Sequence, residues 1–242
     1  MKILSGVLAP WGKCYITLLG SLGDTNNDPV RRKKVTLIAV SVILVSLISL
    51  FFTMCEGAPK INRAPFIGLG EVLAAETAKA IDNHGTVIPV LADYHTTGNT
   101  PLTDEWKTFA KEIKKHGGVT LGNPVIIKLE ETTGEPALAR ADFDNLVEKN
   151  STAGALVFFV GLPLWDATKP LTLPSGGAPK IIAVHNAPQP VKKYFTSSIA
   201  TLLITSRQSP DDKATGEPKT PRQWFDKYFQ VFTAENYQSL PD

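Results

Sequence analysis

Asp93, His95 and His185 are the residues whose chemical types best suit a reaction or a metal. A carboxylate and an imidazole in a D-x-H pair, with a distant second imidazole, offer groups that ligate zinc or shuttle a proton near neutral pH. One such pair with one remote His is a weak metal pattern, so no metal is assigned. Trp165, Asn186, Arg207 and Gln208 add ring faces and hydrogen-bonding groups of the kind that orient a ligand. Each has a plain structural alternative: Asp93 as a turn cap, Trp165 as an edge cover, His185 and Asn186 as loop fasteners, Arg207 as half of an ion pair. The sequence has no Gly-x-Ser-x-Gly elbow, no Walker loop and no H-E-x-x-H. Gly68-Leu69-Gly70 precedes a helix without a leading strand or a third glycine, and Ser175-Gly176-Gly177 sits before a strand. Neither reads as a phosphate cradle. Glu130-Glu131 and Asp211-Asp212 read as solvated turns. No catalytic residue and no cofactor is expected, and a non-enzymatic role is favoured.

The elements that must position these side chains alternate in type. Amphipathic helices are expected near 70–83, 103–115, 142–149, 191–197 and 223–238. Short apolar strands are expected near 86–92, 124–129, 153–160, 180–185 and 200–206. Pro89 weakens the first strand because it lacks a ladder donor. Residues 207–222 read as a polar loop. This alternation predicts an α/β fold, a three-layer α/β/α sandwich around a mostly parallel, doubly wound sheet. In open sheets of this kind ligands bind outside the carboxyl ends of the strands. That rule selects Asp93 and His95, Trp165, His185 and Asn186, and Arg207 and Gln208 as the ligand-binding set.

Location has its own signal. Arg31-Arg32-Lys33-Lys34 stand directly before residues 35–54, a run with no charge, Pro or Gly. As a helix, 20 residues rise about 30 Å, the thickness of a bilayer's hydrocarbon core. Basic residues stay cytoplasmic, so the chain beyond residue 54 is expected outside. The run is longer than a typical signal-peptide core, and Glu56 and Pro59 spoil a cut after Ala58. The expected layout is a cytoplasmic tail (1–34), a single-pass signal anchor (35–54) in the inner membrane, a linker (55–67) and a periplasmic domain (68–242).

Charge excludes one class of partner. Residues 1–57 hold six of the 25 Lys and Arg and three of the 23 Asp and Glu, leaving 19 basic and 20 acidic side chains outside. A balanced domain of this kind argues against a nucleic-acid surface. The two cysteines, Cys14 and Cys55, flank the expected anchor on opposite sides and cannot bridge each other.

From Gly68 to Leu240 the order of elements resembles the C-terminal lobe of type I periplasmic sugar-binding proteins. GEVLAAETAKAIDNHGTVIPVLAD looks like that family's helix and first strand. IIAVHNAPQPVKKYF resembles its strand, ligand turn and short helix, and IATLLITSRQSP is similar to a segment bearing a sugar-binding amide. The resemblance implies that His185 stands at the ligand-binding Asp and Gln208 at the amide position, with Gly161-Leu162-Pro163 in place of an Asn-Asp pair. It implies a small molecule such as a sugar, with a facing lobe from a homodimer or an envelope protein. The alternatives are a hydrolase or transferase using Asp93, His95 and His185, and a structural docking subunit of a membrane complex.

Overall fold

The computed structural model describes residues 29–54, 61–132, 135–174, 177–185, 191–207 and 217–240. The chain divides into two compact units, Met1–Lys60 and Ile61–Asp242. The first contains one described element, helix α1 (Pro29–Met54), 26 residues long. At 1.5 Å per residue its backbone extends about 39 Å. Ser41 and Ser46 return their hydroxyls to the carbonyls of Leu37 and Val42, so these polar groups are satisfied within the helix. Among the described residues no helix is long and apolar enough to cross a membrane. The unbroken run of described side chains in α1 covers only 36–47. The expected tail, apart from its last residues, lies outside the described residues, as does the first part of the linker.

In the second unit α2 (Ala64–Ala80) leads to β1 (Gly85–Ala92), the single-turn α3 (Asp93–Thr96) and α4 (Pro101–Glu112), which a 3-10 turn prolongs through Lys115. Next come β2 (Val119–Leu121), β3 (Val125–Ile127), the hairpin β4 (Glu130–Thr132) and β5 (Glu135–Ala137), and α5 (Arg140–Lys149). The chain continues through β6 (Ala155–Phe158), β7 (Lys180–His185), α6 (Lys192–Thr196), β8 (Leu202–Ser206), α7 (Pro221–Tyr228) and β9 (Phe229–Thr233). Among the described residues these strands make a seven-stranded sheet of order β2-β1-β6-β7-β8-β9, with β3 beside the second half of β1. Every pairing in it is parallel except β8 with β9.

Alternate residues of each buried strand feed two cores. Val87, Leu91, Val157, Ile182 and Ile204 pack with Leu73 of α2, Phe109 of α4 and Phe225 of α7. Val90, Leu156, Phe158, Ile181 and Leu203 pack with Phe143 of α5 and Tyr194 of α6. The expected α/β/α sandwich with a mostly parallel sheet is therefore present, covered on both faces as strands of such uniform apolarity require.

Several local features differ from the expectations. Strand β2 and the β4–β5 hairpin were not expected, and Glu130-Glu131 lies in β4, where backbone pairing with β5 replaces the expected turn. The first helix begins at Ala64, where Pro65 suits the first turn of a helix. The helix expected near 103–115 begins earlier, at Pro101, and Thr100 caps it: its hydroxyl accepts from the Thr103 N–H at 3.2 Å. The closing helix expected over 223–238 stops at Tyr228, and Phe229–Thr233 instead completes the sheet antiparallel to β8. There Val231 faces one core and Phe232 the other, a period of two that four aromatics at nearly helical spacing had masked.

Pro89 costs the ladder nothing. Odd residues of β1 bond toward β2, with the Gly85 N–H donating to the Gly118 carbonyl and the Val87 carbonyl accepting from Gly122. Pro89 falls between the stretches paired to β2 and β3, so its missing N–H faces the break.

Candidate functional site

The carboxyl ends of β1, β6, β7 and β8 carry the expected side chains, and the structure treats them differently. Asp93 opens α3 and is exposed, while its backbone carbonyl accepts from the hydroxyls of Thr96 at 2.9 Å and Thr97 at 3.1 Å. His95 turns inward and is buried. Its Nδ1 lies 3.2 Å from the Ala92 N–H and 3.3 Å from the Ala92 carbonyl, and its ring meets Phe159 edge-on at 5.9 Å. Burial holds its pKa below the usual histidine value, partly opposed by the backbone groups of Ala92 and Phe159. His95 thus fastens α3 onto the end of β1.

His185 ends β7 and is 3% exposed. Neither ring nitrogen has a hydrogen-bond partner among the described residues. Burial pushes its pKa down to about 4, so the ring is neutral at physiological pH. It packs against Tyr194 of α6 at 5.7 Å, and Trp165 meets the same tyrosine ring at 5.6 Å. The Tyr194 hydroxyl donates to the Pro163 carbonyl at 2.6 Å, tying the loop after β6 to α6. Gly161 opens that loop at φ +78°, a conformation glycine adopts without strain, and a side chain there would meet His185 Nδ1. Trp165, His185 and Tyr194 therefore form one aromatic cluster beneath the rim.

The structure does not bring the two histidines together. The His95 ring lies against Phe159, in the core with α2, α4 and α7, and His185 lies against Tyr194, in the core with α5 and α6. They occupy opposite faces of the sheet, which breaks the acid–base set of Asp93, His95 and His185. Among the described residues no three His, Cys, Asp or Glu side chains gather as a metal site requires. The Arg207 Nε donates to the carbonyls of Asp226 at 2.9 Å and Phe229 at 3.1 Å, bracing the turn from α7 into β9. Asn186 and Gln208 lie outside the described residues.

Glu105 is the residue that sequence reading passed over. It is 2% exposed, and its Oε1 is buried without a partner among the described residues. Burial pushes its carboxyl pKa up to about 8. It lines up with Phe109 and Ile113 at four-residue spacing, and both of those are buried. That spacing is visible in the sequence, since Glu105, Phe109 and Ile113 recur at intervals of four. Elsewhere, an open groove of about 440 Å³ runs between β3 and α5, with Lys128, Asp142 and Lys149 at its walls.

Gly68 and Gly70 also find their meaning here. A Cβ on Gly68 would overlap the Pro221 carbonyl oxygen, and one on Gly70 would overlap the Glu105 carbonyl oxygen. The two glycines let α2 lie backbone to backbone against the start of α7 and the middle of α4.

The three-layer α/β/α arrangement around a mostly parallel sheet has counterparts among solved structures. The second unit shares the fold of the sugar-binding proteins of ABC transporters. One from Burkholderia graminis, solved in complex with D-arabinose, matches with a TM-score of 0.50 and 15% identity over 73% of this chain and 62% of its own. A solute-binding protein from Agrobacterium vitis bound to α-D-tagatopyranose matches at TM-score 0.46 and 14% identity, covering 72% and 58%. A sugar-binding protein from Bacillus halodurans matches at 0.47 and 9%, covering 71% and 63%. The chain thus spans less than two thirds of each of these proteins. No family model and no curated protein matches the sequence.

Proposed function

We propose that residues 61–242 form an extracytoplasmic ligand-binding domain, held at the inner membrane by α1, that takes a small neutral polyol such as a sugar at the carboxyl edge of its sheet. The observation that carries this reading is His185. It is a neutral imidazole at the carboxyl end of a central strand, with both nitrogens unpartnered among the described residues and Tyr194, itself against Trp165, beside it. Unpaired buried donors and acceptors are costly, and a hydroxyl-rich ligand supplies partners for them. Aromatic faces suit the C–H faces of a sugar ring. The fold likeness to an arabinose-bound solute-binding protein points the same way. In this reading residues 61–242 supply one lobe, and a second copy or an envelope protein supplies the facing surface.

The test is thermal unfolding of the full chain against D-arabinose, D-tagatose and a wider sugar and polyol panel. At least one member should raise Tm, and His185→Phe should abolish the rise. A folded chain that responds to none of them rules out the small-molecule reading and leaves the docking role.

The anchor reading rests on the sequence alone: the basic cluster and the uncharged stretch 35–54, whose 20 residues as a helix would match a bilayer core. Expressed in a bacterium, the chain should resist alkaline extraction from inner membranes and expose 61–242 to protease only after the outer membrane is opened. A mature N-terminus near Ala58 would overturn this layout.

A further inference from the structure

Strand β3 is an edge: among the described residues it pairs only with β1. The Val90 carbonyl accepts from the Phe159 N–H, so even residues of β1 bond toward β6 and Leu91 bonds toward β3. Leu91 stands opposite Ile126, and in a parallel pair a residue that bonds across reaches the two neighbours of its partner. Val125 and Ile127 therefore serve β1, and the N–H and carbonyl of Ile126 point outward. Unpaired edge groups of this kind are a template for another strand. The Ile126 side chain is 47% exposed, so the edge is apolar as well as open.

The groove beside β3 is walled by α5, and the wall has a pattern. Asp142, Asn145, Leu146 and Lys149 line it at spacings of three, one and three, which makes them a single stripe of the helix. The stripe is negative at its first residue and positive at its last, about 10 Å further along. Neither charge has an ion-pair partner among the described residues. Such a stripe complements its own reverse, which is what a two-fold contact between identical surfaces requires. We propose that a second copy of this chain docks here, β3 against β3 and antiparallel about Ile126, with Asp142 of each copy facing Lys149 of the other. Ile126 then exchanges both of its outward backbone hydrogen bonds with its own counterpart. Lys128 falls opposite Pro124, so no like charges meet across the new ladder. The 19 basic and 20 acidic side chains beyond residue 57 leave almost no net charge to hold the copies apart. Antiparallel pairing points the two sheet rims in opposite directions, so this contact is separate from the His185 site and does not rest on the ligand reading.

Site-directed cross-linking tests it on the full chain in mild detergent, with Cys14→Ser and Cys55→Ser as the background. A hydrogen-bonded antiparallel pair holds its Cα atoms about 5.5 Å apart, within disulfide range. Under mild oxidation Ile126→Cys should give a dimer on non-reducing gels, and Gly117→Cys, which has open space around it, should not. Asp142→Lys and Lys149→Asp should each slow the reaction of the Ile126→Cys chain by about threefold or more, the scale of two exposed ion pairs turned into repulsions. The two swaps combined should restore it. All four positions are exposed, so the variants keep the fold. Cross-linking no faster through Ile126→Cys than through Gly117→Cys would overturn the proposal. So would a dimer that ignores the single swaps, or one that the combined swap fails to restore.

Discussion

Replacing Glu105 by Gln should change how stability depends on pH, and the change can be worked from burial. The folded-state pKa is raised from 4.5 to about 8 by burial. Below pH 4.5 the acid is protonated in both folded and unfolded chains, so its contribution is fully present. As pH rises the unfolded chain releases the proton and the folded chain does not, so stability falls until the folded pKa is passed. With about 1.4 kcal/mol per unit, the loss by pH 7 is on the order of 3 kcal/mol, and it grows further up to pH 8. Gln keeps the shape and has no proton to lose. It adds an amide donor that itself needs a partner, which costs roughly 1–3 kcal/mol at every pH. The slope is therefore diagnostic and the offset is not. Urea unfolding of the full chain in mild detergent, followed by tryptophan fluorescence from pH 4.5 to 8, should show the wild type losing stability relative to the variant steadily across the window. Parallel profiles, with a difference constant to within about 0.5 kcal/mol, would refute the assignment of a buried neutral acid.

Two further outcomes follow from the packing. His185 has its pKa depressed to about 4, so its contribution is present above pH 6.5 and is lost as pH falls toward 4. The loss should reach on the order of 3 kcal/mol in acid, and His185→Phe should remove that acid-side slope in the same titration. Gly70→Ala forces a methyl onto the Glu105 carbonyl and should destabilise the domain by about 1–3 kcal/mol, read as a lower Tm. An exposed glycine such as Gly117, which has open space around it, should tolerate the same change within about 0.5 kcal/mol.

The sandwich and its parallel sheet were legible because short stretches such as 155–158 and 181–184 are uniformly apolar, and amphipathic helices separate them. That pattern depends only on local periodicity and on the need to bury both faces of a strand. The rim positions were legible too, since strand ends follow from strand boundaries. The end of the closing helix was not. Phe225 and Phe229 are one helical turn apart, and only the pairing of Phe229–Thr233 with β8 shows where the helix yields to a strand.

The sequence by itself determined the layered α/β architecture, the near-neutral charge of the residues beyond 57 and an uncharged 20-residue stretch behind four basic residues. These are properties of composition and spacing along the chain. Tertiary structure alone decided which rim residues meet. It put His95 and His185 on opposite faces of the sheet, gathered Trp165 and His185 around Tyr194, and gave Arg207 to the α7–β9 turn. It also turned Glu105 inward and made Gly68 and Gly70 contact points between helices. The physical reason is that burial and partnership belong to pairs of elements brought together by the sheet's crossovers. An acid or an imidazole reads the same in sequence whether solvent, a carbonyl or nothing at all awaits it.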